Sequence, residues 1–296
     1  MPTLKEIKGR IASVRSTLKI TSAMKLVASA KLRKAQNAIE AMRPYQEQLQ
    51  GILASLQGES ATQKADFMAL SPENGASATK RADFMALGPK TIVAIASNSS
   101  LCGGFNANAV AKVRAIRQPG DTVYAIGRKM ADAMRKDGFA SPEDLSELSE
   151  HPSYGPAARL VEKLVEDVEA GRTGAVVLVY NHFVSTARQE PVVDVLVQRC
   201  SVEEGEESLS SDIAPLIEPS RAELLAALLP KTQKLKLYAA LLDSAAAEHA
   251  ARTVAMQTAT DNAENLLSEL TLQYNKGRQQ KITSEILDLA GGLAEN

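Results

Sequence analysis

The sequence has few of the features that belong to secreted, membrane-spanning or strongly charged proteins. Tryptophan is absent, aromatic residues make up 4% of the 296 residues, and the only cysteines are Cys102 and Cys200. Both cysteines lie in mainly apolar contexts, so we expect two buried thiols in a reducing compartment, with a disulfide as the less favoured alternative. The net charge of −1 gives no overall field that would attract nucleic acid or an anionic membrane.

Signals for membrane insertion and for catalysis are also scarce. No run of about 18 apolar residues occurs, so we expect no transmembrane helix and no direct membrane insertion. The chain is charged from Lys5 onward without an apolar h-region, which argues against a signal peptide. His151, His182 and His249 lack the spacing of a metal pair, and no nucleophile–histidine arrangement is visible. We therefore expect no metal and no cofactor.

Both ends of the chain have the 3.5-residue apolar repeat of a coiled-coil seam. At the start, the seam positions are Leu4, Ile7, Ile11, Val14, Leu18, Thr21, Ala28, Leu32, Ala35, Ile39, Met42, Leu49, Leu53 and Leu56. At the other end, they are Tyr238, Leu242, Ala245, His249, Arg252, Met256, Ala259, Ala263, Leu266 and Leu270. A long helix with one apolar stripe needs a partner, so the two ends are predicted to pair as a long antiparallel coiled coil.

The middle of the chain alternates between strand and helix patterns. Strands are predicted at 91–97, 122–127 and 175–180, helices at 104–116, 129–136 and 157–169, and an antiparallel pair at 183–190 and 192–200. Strands this apolar indicate a mainly parallel sheet covered on both faces. The predicted fold class is therefore α/β plus coiled coil, with a central Rossmann-like α/β domain.

The predicted division has five parts. They are an N-terminal coiled-coil helix (1–57), a duplicated insertion (58–90), the central α/β domain (91–205), a linker (206–230) and a C-terminal coiled-coil helix (231–296). The insertion repeats Lys64–Leu70 as Arg81–Leu87, which favours a loop or small helical hairpin over a docking or regulatory element.

Three local features affect the two predicted helices. Thr3 and Glu6 have the spacing of a capping box, so the first helix should begin near Thr3. Pro44 is expected to bend or interrupt that helix. Gly277 is a weak point in the last helix, beyond which the apolar periodicity resumes.

Three surface patterns each allow two interpretations. The turn 101–106, between a strand and a helix, could bind phosphate, but a tight packing turn is favoured because the motif is neither G-x-G-x-x-G nor a Walker A loop. Residues 1–50 carry ten Lys or Arg against three Glu. They could follow a nucleic-acid backbone, but their spread around the helix favours an acidic protein partner. Crowded polar residues at 278–285 form either a frayed end or a contact patch.

Several motifs together resemble one family. They are Lys5-Glu6-Ile7, Arg10-Ile11, Ile20–Ala28, Leu101–Asn106, Glu248–Arg252, Ala255-Met256, Leu270-Thr271-Leu272, Arg278-Gln279 and Ile282–Ile286. In this order along the chain they are similar to signatures of the γ subunit of F-type ATP synthases. The resemblance leaves out only 58–90. It departs at Asn98-Ser99-Ser100, where the family commonly has Asp-Arg-Gly, so a charge-dependent contact at that turn is in doubt.

The resemblance implies a central rotor shaft that couples proton flow to ATP synthesis or hydrolysis and is not itself catalytic. Implied partners are three α and three β subunits, the ε subunit and the membrane ring of c subunits, with no nucleic acid. The implied location is peripheral, on the cytoplasmic face of the bacterial inner membrane. The implied contact residues, where the shaft meets β, are Met24, Lys25, Arg252, Arg278, Gln279, Thr283 and Glu285. The insertion brings no cysteine pair, so the thiol switch of plastid members is not expected.

Two other classes of protein are alternatives to this interpretation. A coiled-coil adaptor or nucleic-acid-binding protein would show a steep salt dependence of nucleic-acid affinity. A nucleotide-dependent enzyme would need a phosphate-binding loop and an acidic residue after the second strand, where the sequence has Gly127-Arg128.

Overall fold

A computed structural model describes residues 3–57, 89–198 and 220–294. The elements in these ranges are α1 (Leu4–Gln57), β1 (Lys90–Ile95), α2 (Phe105–Ile116), β2 (Thr122–Ile126), α3 (Arg128–Lys136), α4 (Ser146–Glu150), α5 (Tyr154–Glu169), β3 (Ala175–Phe183), β4 (Gln189–Gln198) and α6 (Arg221–Ala294). Both repeats of the predicted insertion, and Cys200, lie outside the described residues.

Helix α1 begins with the predicted capping box. The Thr3 amide donates to Oε2 of Glu6 (3.0 Å), and the Glu6 amide donates to Oγ1 of Thr3 (3.3 Å). The helix then continues through Pro44, so the expected interruption is wrong. Apolar residues on both sides of the proline, including Met42 and Leu49, pack against α6. This packing offsets the hydrogen bond that proline cannot donate.

The sheet has the strand order β2-β1-β3-β4. Strand β1 is parallel to both β2 and β3, whereas β4 is antiparallel to β3. The mainly parallel sheet is therefore confirmed, but the predicted strand at 183–190 is wrong. Strand β3 itself runs on to Phe183, which pairs with Gln189, and a turn closed by Ser185 and Arg188 leads directly into β4.

Apolar side chains cover both faces of the sheet. On one face, the strands pack against α2 and α3 through residues such as Val113 and Met130. On the other face they pack against α4, α5 and the part of α6 that carries Leu237 and Leu241. Helix α4 was not predicted because a five-residue helix leaves no measurable periodicity.

Helix α6 exceeds its predicted length. It begins at Arg221, inside the predicted linker, and not at Lys231. Leu225 and Leu228 there pack against the end of α1, which stabilises the added turns. The helix also continues past Gly277, where a Cβ would lie 3.2 Å from Cδ2 of Leu4. Because Gly277 has no Cβ, α1 can approach α6 closely at this point. The predicted weak point does not end the helix.

The chain divides into two compact units, residues 1–29 with 252–296, and residues 30–251. In the first unit the helices are antiparallel, with Thr21 beside Thr260 and Leu4 beside Gly277. In the second unit α1 packs against α6 through seam residues, and α6 packs against the sheet. The predicted combination of an antiparallel helix pair with a central α/β domain is thus confirmed. No helix in the described ranges is both long and apolar enough to cross a bilayer.

Candidate partner-contact surface

The predicted contact residues all lie in the unit formed by residues 1–29 and 252–296, where they form two groups. Met24, Lys25 and Arg252 are half-buried. Since Thr21 lies beside Thr260 and the helices are antiparallel, Lys25 falls opposite Met256. Arg252 precedes Met256 by one turn, a distance of about 6 Å along the helix. The fold therefore brings Met24, Lys25 and Arg252 close together.

The second group lies on α6 beyond Gly277. Its members are all exposed: Arg278, Gln279, Thr283 and Glu285. The Thr283 hydroxyl donates to the Gln279 carbonyl (3.0 Å), and Lys281 Nζ lies 3.6 Å from Oε1 of Glu285. Arg278 is about 40 Å along α6 from Arg252, at ~1.5 Å per residue. The seven predicted residues therefore form two separate contact areas, and their contacts with a partner stay a prediction.

Large apolar side chains are exposed around both groups. On α1 they are Ile20, Leu26 and Val27, and on α6 they are Leu272, Ile282, Ile286 and Leu287. Leu26 is 70% exposed and Leu272 is 72% exposed. The seam that was predicted to resume at Ile282 is thus uncovered, because the described part of α1 begins opposite Gly277. Exposed large apolar side chains on both helices are typical of a protein-binding site.

A buried polar contact sets the register of the two helices in this unit. The Thr260 hydroxyl lies 3.0 Å from Oγ1 of Thr21, and the Thr21 hydroxyl donates to the Leu18 carbonyl (3.1 Å). The sequence placed Thr21 in the seam but did not identify Thr260 as its partner. A single polar pair in an apolar seam favours one register, since any shift separates the two hydroxyls and places each against apolar side chains.

Replacing Thr260 with Val should lower the free energy of unfolding by about 1 kcal/mol, because the polar contact with the Thr21 hydroxyl is lost and a methyl group takes its place. Thr21→Val together with Thr260→Val should cost less than the two single changes added together. Urea unfolding of the four chains, followed by far-UV circular dichroism, measures this coupling. Strictly additive costs would show that the hydroxyl contact contributes nothing to the register.

The glycine turn after β1 has the geometry of a packing turn. Leu101 and Gly103 have positive φ angles of 66° and 57°. This conformation directs Cys102 inward, where it is a free, buried thiol that packs with Phe105, Ala247 and Ala251. These contacts favour a packing turn over a phosphate-binding turn, because they join the turn and the start of α2 to α6.

Asn98 joins three elements at this end of the sheet. Its Oδ1 accepts a hydrogen bond from the Arg128 amide at the start of α3 (3.0 Å), and its Nδ2 donates to the Ser146 carbonyl of α4 (2.8 Å). A neutral amide provides both an acceptor and a donor, which a carboxylate cannot. The departure from the family motif at this position therefore has a structural use. Within the described ranges, no group of acidic, histidine or cysteine side chains could hold a metal ion.

Comparison with known proteins agrees with this combination of paired terminal helices and a central sheet. The "ATP synthase" family model matches residues 3–294. The ATP synthase gamma chain of Phocaeicola vulgatus is 43% identical over 300 residues, covering 99% of each chain. The gamma chains of Bacteroides fragilis and Pelotomaculum thermopropionicum are 44% and 35% identical, again covering 99% of each chain.

Solved structures show the same fold. A chain from the OSCP/F1/c-ring structure of Euglena gracilis mitochondrial ATP synthase has a TM-score of 0.67 at 17% identity, covering 98% of this chain and 93% of that chain. A chain from the central stalk/c-ring structure of Tetrahymena thermophila mitochondrial ATP synthase has a TM-score of 0.57 at 22% identity, covering 81% and 99%.

The chain belongs to the ATP synthase gamma chain family, whose members are non-catalytic central-stalk subunits of F-type ATP synthases.

Proposed function

We propose that this chain is the central rotor shaft of an F-type ATP synthase on the cytoplasmic face of a bacterial inner membrane. It couples proton flow through a ring of c subunits to ATP synthesis or hydrolysis in the β subunits. Its partners are three α and three β subunits around the helix pair, with the ε subunit and the c ring at the other end. The chemistry belongs to β, and this chain contributes conformational coupling.

The observation that carries the proposal is the exposed apolar surface of the helix pair. Ile282, Ile286 and Leu287 follow Gly277 on an α6 segment with no described α1 residue opposite, and each is at least 48% exposed. A surface of this kind is suited to a surrounding protein sleeve that it contacts while turning. The two helices present different residues on different sides, so each orientation of the shaft would favour a different state of the neighbouring β subunit.

The first group of contact residues supports an acidic partner. Lys25 is half-buried and lies opposite the helical turn that follows Arg252, which is also half-buried. Clustered positive charges favour an acidic loop, and the family resemblance places such a loop on β. The second group, Arg278, Gln279, Thr283 and Glu285, offers donors and acceptors suited to hydrogen bonds with the sleeve.

Affinity purification from detergent-solubilised membranes, with native mass and subunit stoichiometry measured together, tests the assembly. We expect one copy of this chain with three α and three β subunits, and ATPase activity in the same fraction. A free chain or a homodimer without those partners would exclude the rotor function and favour a coiled-coil adaptor.

Reversing the charge at Lys25 tests the contact. Lys25→Glu should lower the rate of proton-driven ATP synthesis about fivefold, since a pair at a partly exposed interface is worth about 1 kcal/mol. Lys19→Glu, at an exposed position of the same helix, is the matched control and should keep most of the activity. Both rates are measured in inverted membrane vesicles with equal amounts of assembled complex. Equal losses in the two variants would show that Lys25 makes no specific contact with the partner.

A further inference from the structure

Helix α6 is held to the sheet by two polar contacts on the same helical face. Lys236 Nζ lies 2.9 Å from Oδ1 of Asp194 and 2.8 Å from the Val195 carbonyl, both on β4. Oδ1 of Asp243 accepts a hydrogen bond from the Phe183 amide at the end of β3 (3.0 Å). Lys236 and Asp243 are two turns apart, about 10 Å along the helix.

The contact at Asp243 also includes a hydrogen bond with His182, whose strength depends on the charge of the imidazole. Oδ2 of Asp243 forms a hydrogen bond with Nδ1 of His182. The side chains of His182 and Asp243 are 21% and 13% exposed, so the pair is largely shielded from water. The Phe183 amide donates to the other oxygen of the same carboxylate, so loosening the contact between His182 and Asp243 also weakens the hold on that amide.

We propose that His182 and Asp243 form a pH-sensitive latch between β3 and α6, closed when the imidazole is protonated and loosened when it is neutral. Helix α6 thus has two polar attachments to the sheet, one at Lys236 and one that depends on the protonation of His182. The latch is a property separate from the rotor function and does not depend on it.

The charges around His182 favour the protonated ring. On β4, Glu190 is its register partner, and Glu190 is itself paired with Arg188. On α6, Asp243 contacts the ring directly. Both carboxylates attract a positive imidazole.

The other elements packed nearby bring no described charged contact to the ring. Helix α1 approaches through Leu32, Ala35 and Ile39, which pack with Phe183. The charged residues in that stretch of α1 are exposed: Lys31, Arg33, Lys34 and Glu40. The start of α2 contributes the Phe105 carbonyl, which accepts from Asn181 Nδ2 (3.1 Å). Burial raises the pKa of Tyr180, on the same face of β3, so that phenol stays neutral.

The direction of the pH effect follows from these contacts. The hydrogen bond with Asp243 raises the pKa of His182 above its ordinary value of 6.5, the charges of Asp243 and Glu190 act in the same direction, and burial opposes them. A raised pKa in the folded state means that protonation stabilises the contact. The stabilisation is complete below pH 6.5 and is lost as the pH rises through the raised pKa.

Hydrogen exchange of the Phe183 amide in the full-length chain tests the latch, because this amide donates to Asp243. Between about pH 6 and about pH 9, its protection, corrected for the intrinsic exchange rate, should fall about tenfold for each unit by which the pKa of His182 is raised. His182→Lys, with a permanent charge, should keep constant protection, and His182→Gln should be weakly protected throughout. Wild-type protection that does not change with pH would overturn the proposal.

A titration of the wild-type ring keeps the proposal falsifiable if a variant fails to fold. The His182 ring resonance, assigned with His182→Gln, should titrate above pH 6.5 and return towards the ordinary value in Asp243→Asn. An unchanged midpoint in Asp243→Asn would overturn the latch. Lys236→Met is the matched control, since it breaks the other attachment and should leave the His182 midpoint in place. Neither measurement uses ATP synthase activity, so failure of the latch is distinguishable from failure of the rotor function.

Discussion

Replacing Asp121 with Ala should lower the free energy of unfolding by about 3–5 kcal/mol, because it leaves the buried ammonium of Lys90 without its counter-ion. Both side chains are 0% exposed, and Nζ lies 2.9 Å from Oδ2 of Asp121. The contact gives Nζ no well-directed hydrogen bond, and no other partner is available to it in the described ranges. The same carboxylate also accepts from the amides of Lys90 (3.1 Å) and Gln118 (2.7 Å).

Urea unfolding followed by far-UV circular dichroism measures this cost, and hydrogen exchange of β1 and β2 locates it. The informative control is Lys90→Met combined with Asp121→Leu, which removes both charges and keeps the volume. This double variant should be much closer to wild type than Asp121→Ala, because a buried ion pair is often replaceable by apolar groups. If the double variant is as unstable as Asp121→Ala, the cost comes from lost backbone hydrogen bonds and not from the unpaired charge.

The pair explains how the two adjacent strands are fixed at their starts. Lys90 is the first residue of β1, and Asp121 directly precedes β2. In the sequence, Lys90 lies at the edge of an apolar run, a position where a lysine is usually exposed to solvent. Its burial depends on Asp121, which is 31 positions away. No local pattern carries that information, so sequence reasoning could not find the pair.

The helix pair was predictable because its signal is local. Leu32, Ala35 and Leu53 recur at the spacing of a seam, and each is buried as that spacing requires. In α6 the seam accounts for only part of the burial. Leu237 and Leu241 lie outside the predicted seam and are buried against the sheet. One apolar stripe cannot describe the burial of a helix that packs against a partner helix and a sheet at the same time.

The candidate contact residues came from a resemblance, and the structure adds their arrangement. Periodicity placed Arg252 in the seam of the last helix but could not show that Lys25 of the other helix lies near it. The latch was invisible for a similar reason, since His182 and Asp243 are 61 positions apart on a strand and a helix. Long-range polar contacts need the register of every intervening element, which sequence patterns define only to within a few residues.

Gly127→Ala should be the other strongly destabilising change, with an expected loss of about 3–5 kcal/mol from backbone strain and steric overlap together. Gly127 follows β2 with a φ of +99°, and a Cβ there would lie 2.2 Å from the carbonyl oxygen of Ala96. The contact is with the backbone at the end of β1, so no side-chain rotation can relieve it.

Gly120→Ala separates the two causes. Gly120 has a nearly identical φ of +97° but has no atom within 4 Å of a Cβ placed there. This control should therefore show only the strain of a positive φ, about 1–3 kcal/mol. Urea unfolding of both variants gives the difference that is due to overlap with Ala96. Equal losses would mean that β1 and β2 can separate freely at this point. In contrast, a much larger loss for Gly127→Ala would show that the glycine is required for the close approach of the backbone segments that follow β1 and β2.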